Sequence, residues 1–185
     1  GKFSVYRASK EYPVKEAILD IPGSSILENV TFFKDFALLY FYDNSKYTPF
    51  VKVVPMKDNK LSPLGSQLNG IFNVNITHTV TDGKRLIGFD SKSNSIVELT
   101  NGVPKTLFQL KEEIYGLSLD VYGKNVLTSF SSMEGEGQLL LNGKPIVNKP
   151  YSEIKFFNED YAFLNTGETL ELIQTTTKRI EFLDY

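Results

Sequence analysis

The feature that most constrains the fold of this chain is a short pattern of strands and tight turns that recurs along it. Residues 83–102 show the pattern once, as an apolar run, a polar break, a second apolar run and the pair Asn101-Gly102. A later copy carries Asn142-Gly143 at the matching place. Asn-Gly is the strongest short-range signal for a hairpin, because both turn residues must tolerate positive φ. The recurrence predicts a repeat of antiparallel strands rather than one isolated hairpin.

The copies follow one another at a loose period. Their turns lie near residues 35, 83, 123 and 160, at intervals of about 37 to 48 residues. Between the turns apolar and polar residues alternate, as along residues 117–121, and this indicates strands with one buried face. The earliest copy begins at Ile26, and its fourth strand, around Leu61 to Leu68, is poorly patterned. Residues 3–21 add the later strands of another unit, so we expect four units and a partial fifth.

A unit of four strands and about 40 residues resembles the blade of a β-propeller. The resemblance runs from about Ile26 to the C-terminus and concerns architecture only. The chain has no Trp, so it lacks the Trp-Asp pair of the WD40 repeat, and it lacks the paired glycines of the kelch repeat. The resemblance implies an all-β fold, a β-propeller or partial propeller with four to five short blades. A β-sandwich is the alternative, because similar strand spacing also occurs in two packed sheets.

Length and composition place the chain among ordinary folded domains. With 185 residues, 41% of them hydrophobic, we expect a single all-β repeat domain over residues 1–185. The chain begins at Gly1 rather than Met, so we expect that it was cut, either beside a tag or by removal of a leader, and that it is a fragment of a longer protein. The net charge of −2, with both signs dispersed, does not suggest a nucleic-acid-binding surface. The longest apolar run, residues 36–42, is strand-sized, so we expect no membrane insertion.

The loops between the second and third strands of each unit are longer and more polar than the tight turns. They lie at residues 43–47, 90–94, 131–136 and 165–168. Alternating strand direction places them on one rim together with the connections between units, and loops on a rigid scaffold often carry binding. We therefore predict a binding site on this rim with the following residues: Tyr47, Asp90, Asn94, Glu134 and Glu136.

Some of these residues also have a purely structural interpretation. Asp43 and Asp90 occupy matching places, where a hydrogen bond from side chain to backbone stabilises a turn. Glu134 and Glu136 lie two residues apart in a flexible loop, a pattern too common to indicate acid/base chemistry.

Few residues with catalytic chemistry are present. The single histidine, His78, is in phase with Ile76 and Val80, so we expect a hydrogen-bonded, partly buried ring. With one His and no Cys, the chain lacks the ligands of a zinc site and the partners of a Cys-His pair. No Gly-x-Ser-x-Gly surrounds any serine. We predict no metal and no cofactor.

These features favour a non-enzymatic binding or protein-interaction module, monomeric or part of a larger chain, with a protein or a carbohydrate as its ligand. The alternative is a hydrolase-type propeller enzyme with carboxylates converging on a central channel. The acids available for it are Asp82, Asp120, Glu159 and Asp160.

Overall fold

The protein consists almost entirely of short antiparallel strands, which confirms the all-β prediction. The computed structural model describes residues 2–7, 15–56, 60–72, 76–111, 114–133 and 135–183. The strands of this part of the chain form five sheets, each built from consecutive strands in sequence order. The chain divides into two compact units. Unit 1 contains residues 1–77 and 101–103, and unit 2 contains residues 78–100 and 104–185.

Unit 1 contains a two-stranded and a three-stranded sheet. Their strands are β1 (Lys2–Arg7) and β2 (Lys15–Asp20) in sheet 1, and β3 (Ser25–Phe33), β4 (Phe36–Asp43) and β5 (Thr48–Pro55) in sheet 2. β4 is the central strand of sheet 2, and residues 36–41 are all buried. A continuous apolar run of this kind is typical of a strand that is covered on both faces.

A helix stands where the sequence predicts a fourth strand. The expectation of a strand around Leu61 to Leu68 is wrong, because residues Pro63–Ile71 form α1. The Oγ of Ser62 caps the helix by accepting the N–H of Gly65 at 3.2 Å. Pro63 occupies the first turn, where its missing N–H costs no hydrogen bond. In the part of the chain that the structure describes, no helix has the length and apolar character needed to cross a membrane.

Unit 2 is built on three four-stranded sheets, although the first two residues of β6 belong to unit 1. Sheet 3 contains β6 (Ile76–Thr81), β7 (Leu86–Asp90), β8 (Ser95–Glu98) and β9 (Lys105–Gln109). Sheet 4 contains β10 (Gly116–Tyr122), β11 (Asn125–Ser131), β12 (Gly137–Leu141) and β13 (Lys144–Val147). Sheet 5 contains β14 (Glu153–Phe156), β15 (Tyr161–Asn165), β16 (Leu170–Gln174) and β17 (Arg179–Phe182).

Sheet 4 is covered on both faces, because alternating side chains of its strands enter two different cores. The core towards sheet 3 includes Ile87, Phe89, Ile96, Leu119, Val121, Phe130 and Leu140. The core towards sheet 5 includes Leu127, Leu139, Leu141, Ile154, Leu164 and Ile173. Each such side chain contributes about 1.5–3 kcal/mol when it is fully buried. Three stacked layers of consecutive strands are the arrangement of propeller blades, and they exclude the two-layered β-sandwich for unit 2.

The tight hairpins of successive sheets in unit 2 are joined by hydrogen bonds. Oδ2 of Asp82 accepts the N–H of Gly123 at 2.9 Å, and Arg85 donates to the carbonyl of Gly123 at 3.0 Å. One sheet further on, Nδ2 of Asn125 donates to the carbonyl of Glu159 at 3.0 Å. The predicted turns near residues 83, 123 and 160 therefore lie side by side.

The two Asn-Gly pairs behave differently. Asn142 and Gly143 both have positive φ, 51° and 76°, as the predicted hairpin requires. The prediction of a tight turn at Asn101-Gly102 is wrong, because β8 ends at residue 98 and β9 begins at residue 105. Gly102 packs so closely on α1 that a Cβ there would lie 2.3 Å from Oε1 of Gln67. Packing against the helix thus replaces the local turn preference.

The predicted burial of His78 is also wrong. His78 is exposed, and Thr79, the next residue, is buried. The buried positions of β6 are Ile76 and Thr79, so the strand does not keep strict alternation.

Candidate functional site

In unit 2, loops between second and third strands lie beside linkers between sheets, as alternating strand direction requires. The N–H of Leu110, after β9, donates to the carbonyl of Asn94 at 2.8 Å. The N–H of Tyr115, before β10, donates to the carbonyl of Ser131 at 2.8 Å. We call this end the loop rim of unit 2. It comprises the described residues within 91–94, 110–115, 131–138, 148–152 and 165–169.

Asp43 and Asp90 stabilise their own turns, which confirms the structural interpretation of this pair. Oδ1 of Asp43 accepts the N–H of Ser45 at 2.9 Å, and Oδ1 of Asp90 accepts the N–H of Lys92 at 3.0 Å. The hydroxyl groups of Ser45 and Ser24, which also donate to Asp43, lower the pKa of its carboxyl group. These carboxylates are therefore engaged in holding the backbone of their loops.

The residues of the predicted binding site are distributed over both units. Tyr47 lies in unit 1, whereas Asp90, Asn94 and Glu136 lie in unit 2. Glu134 lies outside the described residues. Tyr47 and Asn94 close equivalent four-residue turns in the left-handed conformation, with φ of 55° and 51°. Asn tolerates this conformation better than Tyr, so the backbone at Tyr47 is strained.

Glu136 lines an open cavity of about 340 Å³, which we call cavity A. Its other lining residues are Gly135, Gly137, Gln138, Asn148 and Pro150. Nε2 of Gln138 donates to Oδ1 of Asn148 at 3.2 Å, so the two carboxamides hold each other in place. Cavity A thus presents a carboxylate and two carboxamides, which are groups suited to hydrogen bonding with a polar ligand.

A glycine at position 137 is required by the close approach of the backbone. A Cβ there would lie 2.2 Å from the carbonyl oxygen of Phe130 and 2.7 Å from Cβ of Pro150. Gly137 therefore lets the linker after β13 approach the start of β12 and form the wall of cavity A.

Gln138 also lines a second, smaller cavity of about 210 Å³, which we call cavity B. Leu110, Phe130 and Leu140 line it, and all three are buried. The other lining residues are Gln109, Lys111, Gly143 and Pro145, and Gln138 is shared with cavity A. Cavity B therefore combines an apolar wall with a polar margin.

A buried carboxylate fixes the linker that borders cavity A. Glu171 of β16 accepts hydrogen bonds from Nζ of Lys149 at 2.5 Å and from the hydroxyl of Tyr151 at 2.7 Å. Burial acts to raise the pKa of Glu171, but the bonds from Lys149 and Tyr151 outweigh it, and the pKa is lowered. Burial, followed by the hydrogen bond to Glu171, raises the pKa of Tyr151. This network ties residues 149–151 to sheet 5.

Two large apolar side chains on the loop rim are exposed. Tyr115 and Met133 each expose 76% of their surface, and the bond from Tyr115 to Ser131 places them on adjacent segments. Sequence reasoning missed both, although Met133 lies in a loop that it selected. An aromatic residue directly before a first strand was the available signal for Tyr115.

Three of the four acids considered for hydrolysis make contacts between sheets. The carboxylate of Asp120 accepts the N–H of Phe156 at 2.7 Å and Nζ of Lys155 at 3.1 Å. Asp82 bonds to Gly123, as described above, and Glu159 pairs with Lys124 at 3.8 Å. Among the residues described, no three His, Cys, Asp or Glu side chains are grouped so that they could hold a metal ion. The carboxylates of Asp82 and Asp120 are thus engaged in contacts between neighbouring sheets.

Comparison with solved structures shows a β-propeller fold. The WD40 beta propeller domain of Doa1 is similar with a TM-score of 0.54 and 14% identity, over 97% of this chain and 60% of that chain. The C-terminal WD40 domain of Sif2 is similar with a TM-score of 0.46 and 11% identity, over 99% of this chain and 66% of that chain. The chain thus spans about 60% of the Doa1 domain. No protein-family model matches the chain, and no curated protein matches its sequence.

Proposed function

We propose that this chain is a protein-interaction module that binds its partner through the loop rim of unit 2. The observation that carries the proposal is the pair of exposed side chains, Tyr115 and Met133, beside a polar cavity. Aromatic residues and Met are enriched at the centres of protein interfaces, and a few such anchors supply most of the binding energy. The polar lining of cavity A, with Glu136 and Gln138, supplies the hydrogen-bonding margin of such an interface.

The scaffold supports this use of the rim. Sheet 4 is covered on both faces, and the Glu171 network and the bond between Gln138 and Asn148 hold the rim segments. A partner that binds such a surface does not have to order it first, which lowers the entropic cost of association. The WD40 fold of the similar Doa1 domain is compatible with this role, but the fold alone does not determine function.

The test compares three tagged forms of the chain, the wild type and two variants, in affinity purification followed by titration of the recovered partner. Replacing both Tyr115 and Met133 by Ser removes the two anchors. Phe157→Ser is the matched control, because Phe157 is 69% exposed and lies near the tight hairpins. We expect the double variant to weaken binding at least about tenfold and the control to bind like the wild type. Equal affinities for all three forms, or a loss confined to the control, would refute the proposal.

A carbohydrate is the second candidate ligand, and cavity A is the feature that favours it. One carboxylate and two carboxamides within a volume of about 340 Å³ provide donors and acceptors for vicinal hydroxyl groups. A glycan array probed with the wild type and with Gln138→Ala tests this candidate. Glycan binding that is lost in the variant supports it, and the absence of any bound glycan excludes it.

A further inference from the structure

Cavity B is large enough to hold one large amino-acid side chain. Its volume of about 210 Å³ corresponds to roughly seven water molecules at about 30 Å³ each. Pockets for drug-sized ligands and cofactors begin near about 300 Å³. The wall formed by Leu110, Phe130 and Leu140 belongs to the core between sheets 3 and 4, so an apolar group that enters the cavity meets closely packed apolar atoms.

The margin of cavity B suits a peptide backbone. Nε2 of Gln109 donates to the carbonyl of Ser93 at 3.3 Å, and Nε2 of Gln138 donates to Asn148 at 3.2 Å. Both carboxamides are therefore anchored through their nitrogen atoms, and each retains a carbonyl oxygen that can accept a hydrogen bond. Main-chain N–H groups of an extended segment are the natural donors for two such acceptors.

The lysine that lines cavity B indicates the charge of the residues that flank the apolar residue in the partner segment. Lys111 lines the cavity and is exposed, so its ammonium group is available to a carboxylate of the partner. A charge at the margin of an interface selects partners more than it adds affinity. An acidic residue next to the apolar one is therefore complementary to this cavity.

We infer that cavity B is the anchor pocket for a single large apolar side chain, such as Leu, in an extended partner segment with acidic neighbours. This inference rests on the proposed function, because it names the kind of segment that the module binds. Cavity B is adjacent to cavity A through Gln138, so one segment can contact both.

Fluorescence anisotropy with blocked, fluorescein-labelled heptapeptides tests the inference. The probe has the sequence Gly-Ser-Asp-Leu-Asp-Ser-Gly. One control peptide has Ser in place of Leu, and another has Lys in place of both Asp residues. The protein is the whole chain, as wild type, as Lys111→Glu and as Lys105→Glu. The last variant is the matched control, because Lys105 is an exposed lysine of β9 that does not line the cavity.

We expect the wild type to bind the Leu probe at least about tenfold more tightly than the Ser control. Lys111→Glu should weaken binding of the acidic probe by up to about fivefold and strengthen binding of the Lys peptide, whereas Lys105→Glu should do neither. Equal affinity for the Leu and Ser peptides, equal effects of the two lysine variants, or no binding at 1 mM peptide would overturn the inference. Self-association of the chain that Lys111→Glu abolishes, without peptide binding, would assign the pocket to a second copy and also overturn it.

The two proposals fail in different ways. If the partner recovered in the affinity experiment requires Tyr115 and Met133 but is indifferent to Lys111→Glu, the pocket inference fails and the interaction module remains. If the partner is indifferent to all of these changes, the proposed function fails as well.

Discussion

Replacing Asp120 by Ala tests whether β10, the first strand of sheet 4, is joined to sheet 5 mainly by a buried backbone hydrogen bond. The Asp120 side chain is 3% exposed and accepts the N–H of Phe156 at 2.7 Å. The replacement leaves that N–H without its acceptor in a buried place, and it removes a bond in which the acceptor carries a charge. Such a loss costs about 3 kcal/mol.

The ion pair at the same site should contribute much less. Lys155 lies 3.1 Å from Asp120, but its side chain is 67% exposed, so water competes for its ammonium group. Lys155→Met should therefore cost less than about 1 kcal/mol. Asp120→Asn keeps an acceptor for the N–H of Phe156 and should cost about 1 kcal/mol, between the other two values.

Urea unfolding of the wild type, the three single variants and the double variant Asp120→Ala/Lys155→Met measures these differences. We expect a coupling energy between the two positions below about 1 kcal/mol. A cost for Lys155→Met as large as that for Asp120→Ala would show that the ion pair dominates. A cost for Asp120→Ala below about 1 kcal/mol would refute the reasoning from the buried N–H.

Replacements that test three other features, two of them with a matched control, are the following. The pKa of Glu171 in the folded state is lowered from its ordinary value of 4.5. Its contribution to stability is therefore fully present above that pH and is lost as the pH falls through the folded value, so urea unfolding below about pH 5 should show a steeper loss for the wild type than for Glu171→Gln; identical profiles would contradict this. Gly137→Ala should lower the free energy of unfolding by about 1–3 kcal/mol in a thermal melt, because the added Cβ clashes with backbone. Gly70→Ala in α1, where the added Cβ meets open space, should instead raise it by about 0.5–1 kcal/mol, and equal effects would be inconsistent with the clash. Asn142→Ala should lower the free energy of unfolding in urea by about 1–3 kcal/mol, because Ala is strained at a φ of 51° and the N–H of Val126 loses its acceptor at 2.8 Å. Asn142→Gly removes the same acceptor but adopts this φ without strain, so it should cost less.

The sequence predicts those parts of the fold that depend on neighbours along the chain. The pair Asn142-Gly143 tolerates positive φ and forms the predicted hairpin, and the acids that begin the turns at Asp43 and Asp90 bond to backbone only two residues away. Period-two alternation likewise places Leu119 and Val121 on one face without knowledge of the partner sheet.

Features that depend on distant contacts are not visible in the pattern. Asn101-Gly102 has the same local signal as the later pair, but packing of Gly102 on α1 determines its structure. The signals for α1 are Ser62 and Pro63, and two glycines within nine residues weaken them.

The candidate site shows the same limit. Glu136 was selected from its loop, and it lines cavity A. The residues that join the two cavities come from different strands and linkers, with Gln138 between Gln109 and Asn148. Gln138 and Asn148 are brought together by the hairpin of β12 and β13, in which Leu139 pairs with Val147. Gln109 comes from β9 of sheet 3 and reaches Gln138 only through the packing of sheet 3 against sheet 4, which no spacing in the sequence predicts.

The position of sheet 4 between two neighbours sets an order of disassembly for unit 2. Solvent reaches the backbone amides of β11 and β12 only after one of the flanking sheets has unfolded. These amides should therefore exchange most slowly in native-state hydrogen exchange. If sheet 5 alone unfolds, Leu127, Leu139 and Leu141 become exposed together. Such a partly unfolded form is expected to aggregate although the rest of unit 2 is still folded.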